Sequence, residues 1–120
     1  MEWEFECICF VPSLANMHSH WTKKKVITDA QKSHVWAAFV NNKIKATLPV
    51  DVYITRTNTR KLDSDNLQAA IKHIRDAIAN ELIPGKGWGR ADDDPRIGWH
   101  YDQINSHKRG FRVKIVERGP

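Results

Sequence analysis

The chain of 120 residues contains only two cysteines, Cys7 and Cys9. They stand two positions apart in a segment with strand periodicity, where Cα atoms are roughly 6–7 Å apart. That spacing is at the limit for a disulfide, so we expect two free thiols and a reducing compartment. With no further cysteine and no other zinc-like spacing, a structural zinc site is not expected.

Long apolar segments are also absent. No stretch approaches the roughly 18 apolar residues of a membrane-spanning helix, and the opening "MEWEFE" lacks the basic and apolar regions of a signal peptide. We therefore expect a cytoplasmic protein with no membrane partner. The length predicts a single domain over residues 1–120, because two ordinary domains need a longer chain.

Basic residues exceed acidic ones. Nineteen lysines and arginines against fourteen aspartates and glutamates give a formal charge of +5. This excess suits a polyanionic partner, although a generic basic surface would give the same sum.

Hydrophobic periodicity predicts four strands and two helices. Alternation indicates strands over residues 2–10, 50–57, 96–101 and 110–117, the last two forming a hairpin. A first helix is expected from caps at Thr28 and Asp29 through residue 46, after a long polar loop over residues 11–25. A second helix has an apolar stripe at Leu67, Ile71, Ile74, Ile78 and Leu82. The order β-α-β-α-β-β predicts an α+β fold, with both helices packed on a small mixed sheet.

Two acidic segments interrupt this basic chain: "DSD" at residues 63–65 and "DDDP" at residues 92–95. In extended backbone, Asp63 and Asp65 face one way, and so do Asp92 and Asp94. If both segments meet at one end of the sheet, a divalent cation must offset their repulsion. Aspartate oxygens favour Mg²⁺, with Mn²⁺ as a substitute. The alternative is that Asp65 caps the second helix, with the other acids merely solvated.

The motifs "LDSDNLQAAIKHIRDAI" and "DDDPRI" resemble the signature of the RusA family of Holliday-junction resolvases, in its phage and prophage branch. The loop "VPSLANMHSHW" is similar to that family's N-terminal loop. The resemblance implies a homodimeric, Mg²⁺-dependent endonuclease that resolves four-way DNA junctions by paired nicks, in recombination and repair.

By position, the resemblance assigns the catalytic, metal-binding carboxylates to Asp63, Asp65 and Asp94, with Asp93 in reserve. The family's best-studied form has a lysine where this chain has Ala69. Lys72, about 10 Å further along the helix, is the expected phosphate support, and a solvent-facing lysine is the alternative.

The expected DNA contacts combine a basic run, flanking cations and loop residues. Cations would bind phosphates, the two loop histidines would face DNA rather than a metal, and Trp88 would either stack on a base or pack beneath its loop. The full set is Asn16, His18, His20, Lys23, Lys24, Lys25, Arg60, Lys61 and Trp88.

Two further functions stay open. A junction-binding accessory domain without chemistry would explain the missing lysine. A nuclease for other branched DNA would share the mechanism and differ only in substrate.

Overall fold

Four strands and two long helices are present in the computed structural model, which describes residues 1–13, 21–86 and 90–119. In chain order they are β1 (Glu2–Ile8), α1 (Trp21–Asn41), β2 (Val50–Asn58), α2 (Ser64–Leu82), β3 (Ile97–Asn105) and β4 (Gly110–Glu117), with a 3₁₀ turn at Ala91–Asp93 before β3. The predicted single α+β domain and its element order are confirmed. Neither described helix is long and apolar enough to span a membrane.

The strand order in the sheet is β1-β4-β2-β3. β2 and β3 are parallel, whereas β4 pairs antiparallel with both β1 and β2. The predicted hairpin between the last two strands is therefore wrong, because β2 lies between them. Burial explains the arrangement: Phe111, Val113 and Ile115 of β4 are fully buried, as a central strand requires, whereas Trp99 and Tyr101 of β3 stay partly exposed at the edge.

Both helices pack on one face of the sheet. The Phe5 ring of β1 meets Phe39 of α1 edge to face, with centroids 6.1 Å apart. On α2, Arg75 donates to the Tyr101 hydroxyl of β3. The predicted stripe of α2 faces the core, where Leu67, Ile71, Ile74 and Ile78 are buried. Burial of these side chains from water is the main favourable term in the fold.

Helix α1 begins earlier than the sequence predicted. Lys23, Lys24 and Lys25 lie within its first turns, and Thr28 sits inside the helix, where its hydroxyl donates to the Lys25 carbonyl at 3.1 Å. Asp29 accepts from Lys25 Nζ at 2.7 Å across one helical turn. The predicted caps are therefore interior residues, because lysine is a good helix former and the i,i+4 pair favours continuation.

The same helix ends at Asn41 rather than at residue 46. Lys43 takes a left-handed conformation with φ 50°. The amide of Ile44 then donates to Phe39 O at 3.0 Å, and that of Lys43 to Val40 O at 3.2 Å. This bond pattern is a Schellman motif, and the buried Ile44 side chain completes it.

Both cysteines are free thiols, as predicted. Burial raises the pKa of Cys7 and of Cys9 to about 11. Both thiols are therefore protonated at neutral pH and are weak nucleophiles.

Lys43→Gly should stabilise the protein by about 0.5–1 kcal/mol, because glycine adopts positive φ without the steric cost that lysine carries. Urea unfolding measures the change. Lys45→Gly, two residues along and also exposed, should be neutral or destabilising, since it only adds freedom to the unfolded chain. Equal effects of the two substitutions would contradict the assigned conformation of Lys43.

Candidate nucleic-acid interface

One edge of the sheet gathers the first acidic segment and several cations. The carboxyl ends of β2 and β3 coincide there, since Asn58 pairs with Asn105. The amide of Ser106 donates to Asn58 O at 2.8 Å, so the turn after β3 touches the end of β2. β1 ends at the same edge, because Ile8 pairs with Gly110. We call residues 59–66 and 106–109 the aspartate edge.

Asp63 is the N-cap of α2. Its backbone is extended, with φ −69° and ψ 170°, and its Oδ1 accepts from the amide of Asn66 at 2.9 Å. Its Oδ2 accepts from Asn66 Nδ2 at 3.1 Å. Asp65 lies in the first helical turn, so the predicted cap at Asp65 is corrected to Asp63. The Asp65 side chain is exposed and has no hydrogen bond or ion pair within the described ranges.

Gln103 of β3 holds the residue before the cap. Its Oε1 accepts from the Leu62 amide at 2.8 Å, and its Nε2 donates to Leu62 O at 2.6 Å. A second contact comes from Ser13, which is buried and donates to Asn66 Oδ1 at 2.9 Å. The start of α2 is therefore fixed from two sides.

Arg56 of β2 is the third support, and only 5% of its surface is exposed. Its Nε donates to Val11 O at 2.8 Å and its Nη1 to Arg60 O at 3.0 Å. Burial lowers the pKa of this guanidinium. Gln103, Ser13 and Arg56 were not among the site residues predicted from the sequence. The signal for Arg56 was available, since it continues the buried alternation of Val50, Val52 and Ile54.

Exposed cations lie on the same edge of the sheet as the two aspartates. Arg60, Lys61, Lys108 and Arg109 are all exposed and make no ion pair with any described residue. Helix α1 also begins toward this edge, because it runs antiparallel to β1: Gln31 donates to Phe10 O at 3.1 Å, and Phe39 meets Phe5. The lysines at residues 23–25 therefore lie at the same end of the molecule.

The second acidic segment lies at the opposite end. Asp94 precedes the first residue pair of β2 and β3, which is Val50 with Ile97, whereas Asp63 follows the last pair. The nine paired residues between them span about 26 Å. The expected meeting of Asp63 and Asp65 with Asp94 does not occur within one chain. Among the residues placed by the structure, no group of three histidine, cysteine, aspartate or glutamate side chains could hold a metal.

Asp94 is instead held by cations. It is 5% exposed, and its Oδ2 lies 2.8 Å from Lys86 Nζ and 2.9 Å from Arg96 Nη2. Its Oδ1 accepts from the amide and Nε of Arg96, both at 3.0 Å. Hydrogen bonds from Arg96 and Lys86 hold the pKa of Asp94 well below its usual range. These bonds use the lone pairs that a metal would need.

The neighbouring acids differ from Asp94. Asp92 Oδ2 lies 3.3 Å from Arg75 Nε, and its carbonyl accepts from Trp99 Nε1 at 3.0 Å. Asp93 is exposed. Burial, followed by the charge of Asp92, raises the pKa of Asp76 on α2.

Lys72 is exposed on α2, and its charge acts on Asp76 and His73 in the middle of the helix. Its predicted phosphate contact stays a prediction. Asn16, His18, His20 and Trp88 lie outside the described residues, and their predicted roles stay predictions as well.

The chain matches no protein-family model, and no curated protein is significantly similar to it. The resemblance to the RusA family therefore depends on the motifs alone.

Asp63→Ala should lower the free energy of unfolding by about 1 kcal/mol, because it removes the N-cap of α2. Asp63→Asn should retain most of that stability, since asparagine caps equally well. Urea unfolding of both variants is the measurement. Asp65→Ala is the control and should cost less; a larger loss there than in Asp63→Ala would contradict the assigned cap.

Stability should fall as pH drops below roughly 4, the ordinary range of an unfolded aspartate. The folded-state pKa of Asp94 is depressed, so its contribution is present above the unfolded pKa and is lost on acidification. Asp94→Asn should be less stable at pH 7 and should show a flatter acid limb in urea midpoints between pH 3 and 7. Asp93→Asn, at an exposed neighbour, is the control and should be nearly as stable as the wild type at pH 7.

Proposed function

We propose that the aspartate edge binds the phosphodiester backbone of branched DNA, and that Asp63 and Asp65 hold a Mg²⁺ ion there. The protein would then be a structure-specific endonuclease of the Holliday-junction type. The observation that carries the proposal is the exposure of two carboxylates at the start of α2, on the same edge of the sheet as four cations that have no ion-pair partner in the described ranges. Carboxylates repel phosphate, so a phosphodiester that comes close to these aspartates favours a cation between them.

The residues present fit a Mg²⁺ ion. Mg²⁺ is commonly held by one or two carboxylates, with waters and substrate phosphates completing its coordination. Residues two apart have Cα atoms at most about 7 Å apart, and each oxygen of Asp63 keeps a second lone pair beyond its bond to Asn66. When bound, such an ion activates a water and polarises the phosphoryl group.

The remaining residues would hold the substrate and the site in place. Arg60 and Lys61 directly precede the acidic segment and can neutralise phosphates on either side of the cleaved bond. Gln103 and Ser13 fix the segment that carries Asp63, which limits the motion of its carboxylate. Catalysis benefits because a positioned ligand needs no rearrangement during the reaction.

A third carboxylate would have to come from a second copy of the chain. Asp93 is better suited to this than Asp94, because Asp93 is exposed whereas the Asp94 oxygens are bonded to Lys86 and Arg96. A homodimer also suits the reaction, since paired nicks in a two-fold junction require two sites related by two-fold symmetry.

The second candidate is a branched-DNA-binding domain without chemistry. The pairing of Asp94 with two cations favours it, as does Ala69 in place of a basic residue. A nuclease for other branched DNA differs from the first candidate only in substrate preference.

Cleavage of a synthetic four-way junction, compared with linear duplex, tests the proposal. Wild-type protein with Mg²⁺ or Mn²⁺ should introduce paired nicks at the junction, and EDTA should abolish them. Asp63→Asn and Asp65→Asn should each reduce cleavage by at least about 100-fold while binding persists, since each removes a charged metal ligand. Asp102→Asn, the same substitution at an exposed residue of β3, is the matched control and should cleave normally.

Tight junction binding without cleavage in either metal would favour the second candidate. Cleavage that survives in both Asp63→Asn and Asp65→Asn would place the chemistry elsewhere. Absence of any DNA binding would exclude both candidates.

A further inference from the structure

The turn between β3 and β4 crosses the end of β2. These two strands are not neighbours, so residues 106–109 must span two strand spacings, about 10 Å. β2 ends directly beneath the turn, at Asn58, and the chain then continues to Arg60, Lys61 and Asp63. The turn therefore lies at the position where the first acidic segment leaves the sheet.

Backbone contacts fix this turn at both ends. The Ser106 amide donates to Asn58 O at 2.8 Å, and the Lys108 amide donates to Ser106 Oγ at 3.1 Å. Arg109 O accepts from the Cys9 amide at 3.2 Å. A side chain at Gly110 would overlap the carbonyl of Cys7, so the first residue of β4 lies tightly against β1. A turn held in this way presents its side chains in a defined position.

The side chains of the turn are basic and exposed. His107, Lys108 and Arg109 are consecutive, and neither Lys108 nor Arg109 has an ion-pair partner in the part of the chain that the structure describes. The basic residues of β4 behave differently: Arg112 pairs with Glu6 at 3.1 Å, and Lys114 with Glu2 at 3.7 Å. The unpaired cations are thus at the turn and not along the strand.

We propose that residues 107–109 form a second phosphodiester-binding arm of the aspartate edge, which complements the arm formed by Arg60 and Lys61. The inference rests on the proposed function. Two cationic arms fixed to the ends of β2 and β3, with the aspartates on the same edge, would hold a nucleic-acid backbone against the acidic segment. Each phosphate neutralised releases counterions, so the arm should contribute affinity and salt dependence but no sequence preference.

The test is binding of a fluorescent four-way junction in EDTA, where cleavage cannot interfere, over a series of salt concentrations. Lys108→Ala/Arg109→Ala should weaken binding about tenfold or more at low salt and reduce the slope of log K against log salt by about 1 per lost contact. Lys108→Arg/Arg109→Lys keeps both charges and should bind like the wild type. Lys43→Asn/Lys45→Ala is the matched control, since it removes two exposed charges at the opposite end of the sheet, and it should leave the slope unchanged.

The outcomes separate this inference from the proposed function. If Lys108→Ala/Arg109→Ala weakened junction binding no more than the matched control does, the proposed arm would be overturned. The nuclease proposal would still stand. Loss of binding in this variant, with no cleavage by the wild type in Mg²⁺, would support the arm within the binding-only candidate. If polyglutamate bound the wild type as tightly as DNA at equal salt, the arm would be assigned to acidic proteins instead, and the nucleic-acid inference would be overturned.

Discussion

The parallel pairing of β2 with β3 is the constraint that decides where the two acidic segments lie. Because α2 connects the end of β2 to the start of β3, whatever follows β2 and whatever precedes β3 must lie at opposite ends of the sheet. Asp63 follows β2 and Asp94 precedes β3. The same pairing brings the turn after β3 to the end of β2, and so gives Asp63 basic neighbours in place of the second acidic segment.

Local patterns predicted the elements, and contacts distant in sequence decided their arrangement. A buried face can be recognised within a short stretch of sequence. Examples are the alternation of Val50, Val52 and Ile54 and the apolar stripe from Leu67 to Ile78. The insertion of β2 between β3 and β4 depends on pairings dozens of residues apart, and sequential strands are usually neighbours, so the hairpin was the natural but wrong expectation.

The candidate site shows the same division. That an aspartate caps α2 was readable from "DSD", but the choice of Asp63 over Asp65 depends on where Gln103 holds Leu62, and no short window contains that contact. The predicted meeting of the two acidic segments depended on the strand topology, which short sequence patterns do not reveal. The end of α1 at Asn41 was also hidden, since the left-handed Lys43 that follows it leaves no compositional signal of the kind that glycine gives.

Arg56 explains how the backbone before Asp63 is held at this edge. Burying a guanidinium without a carboxylate partner is unfavourable, and Arg56 bonds only to backbone carbonyls within the described ranges. Those carbonyls belong to Val11, three residues after β1, and to Arg60, just before the acidic segment. The buried guanidinium therefore ties both segments to the end of β2 and fixes the backbone that leads into Asp63. Contacts within the chain hold the start of α2 in place, which favours a preformed acidic segment over one that is ordered only by a ligand.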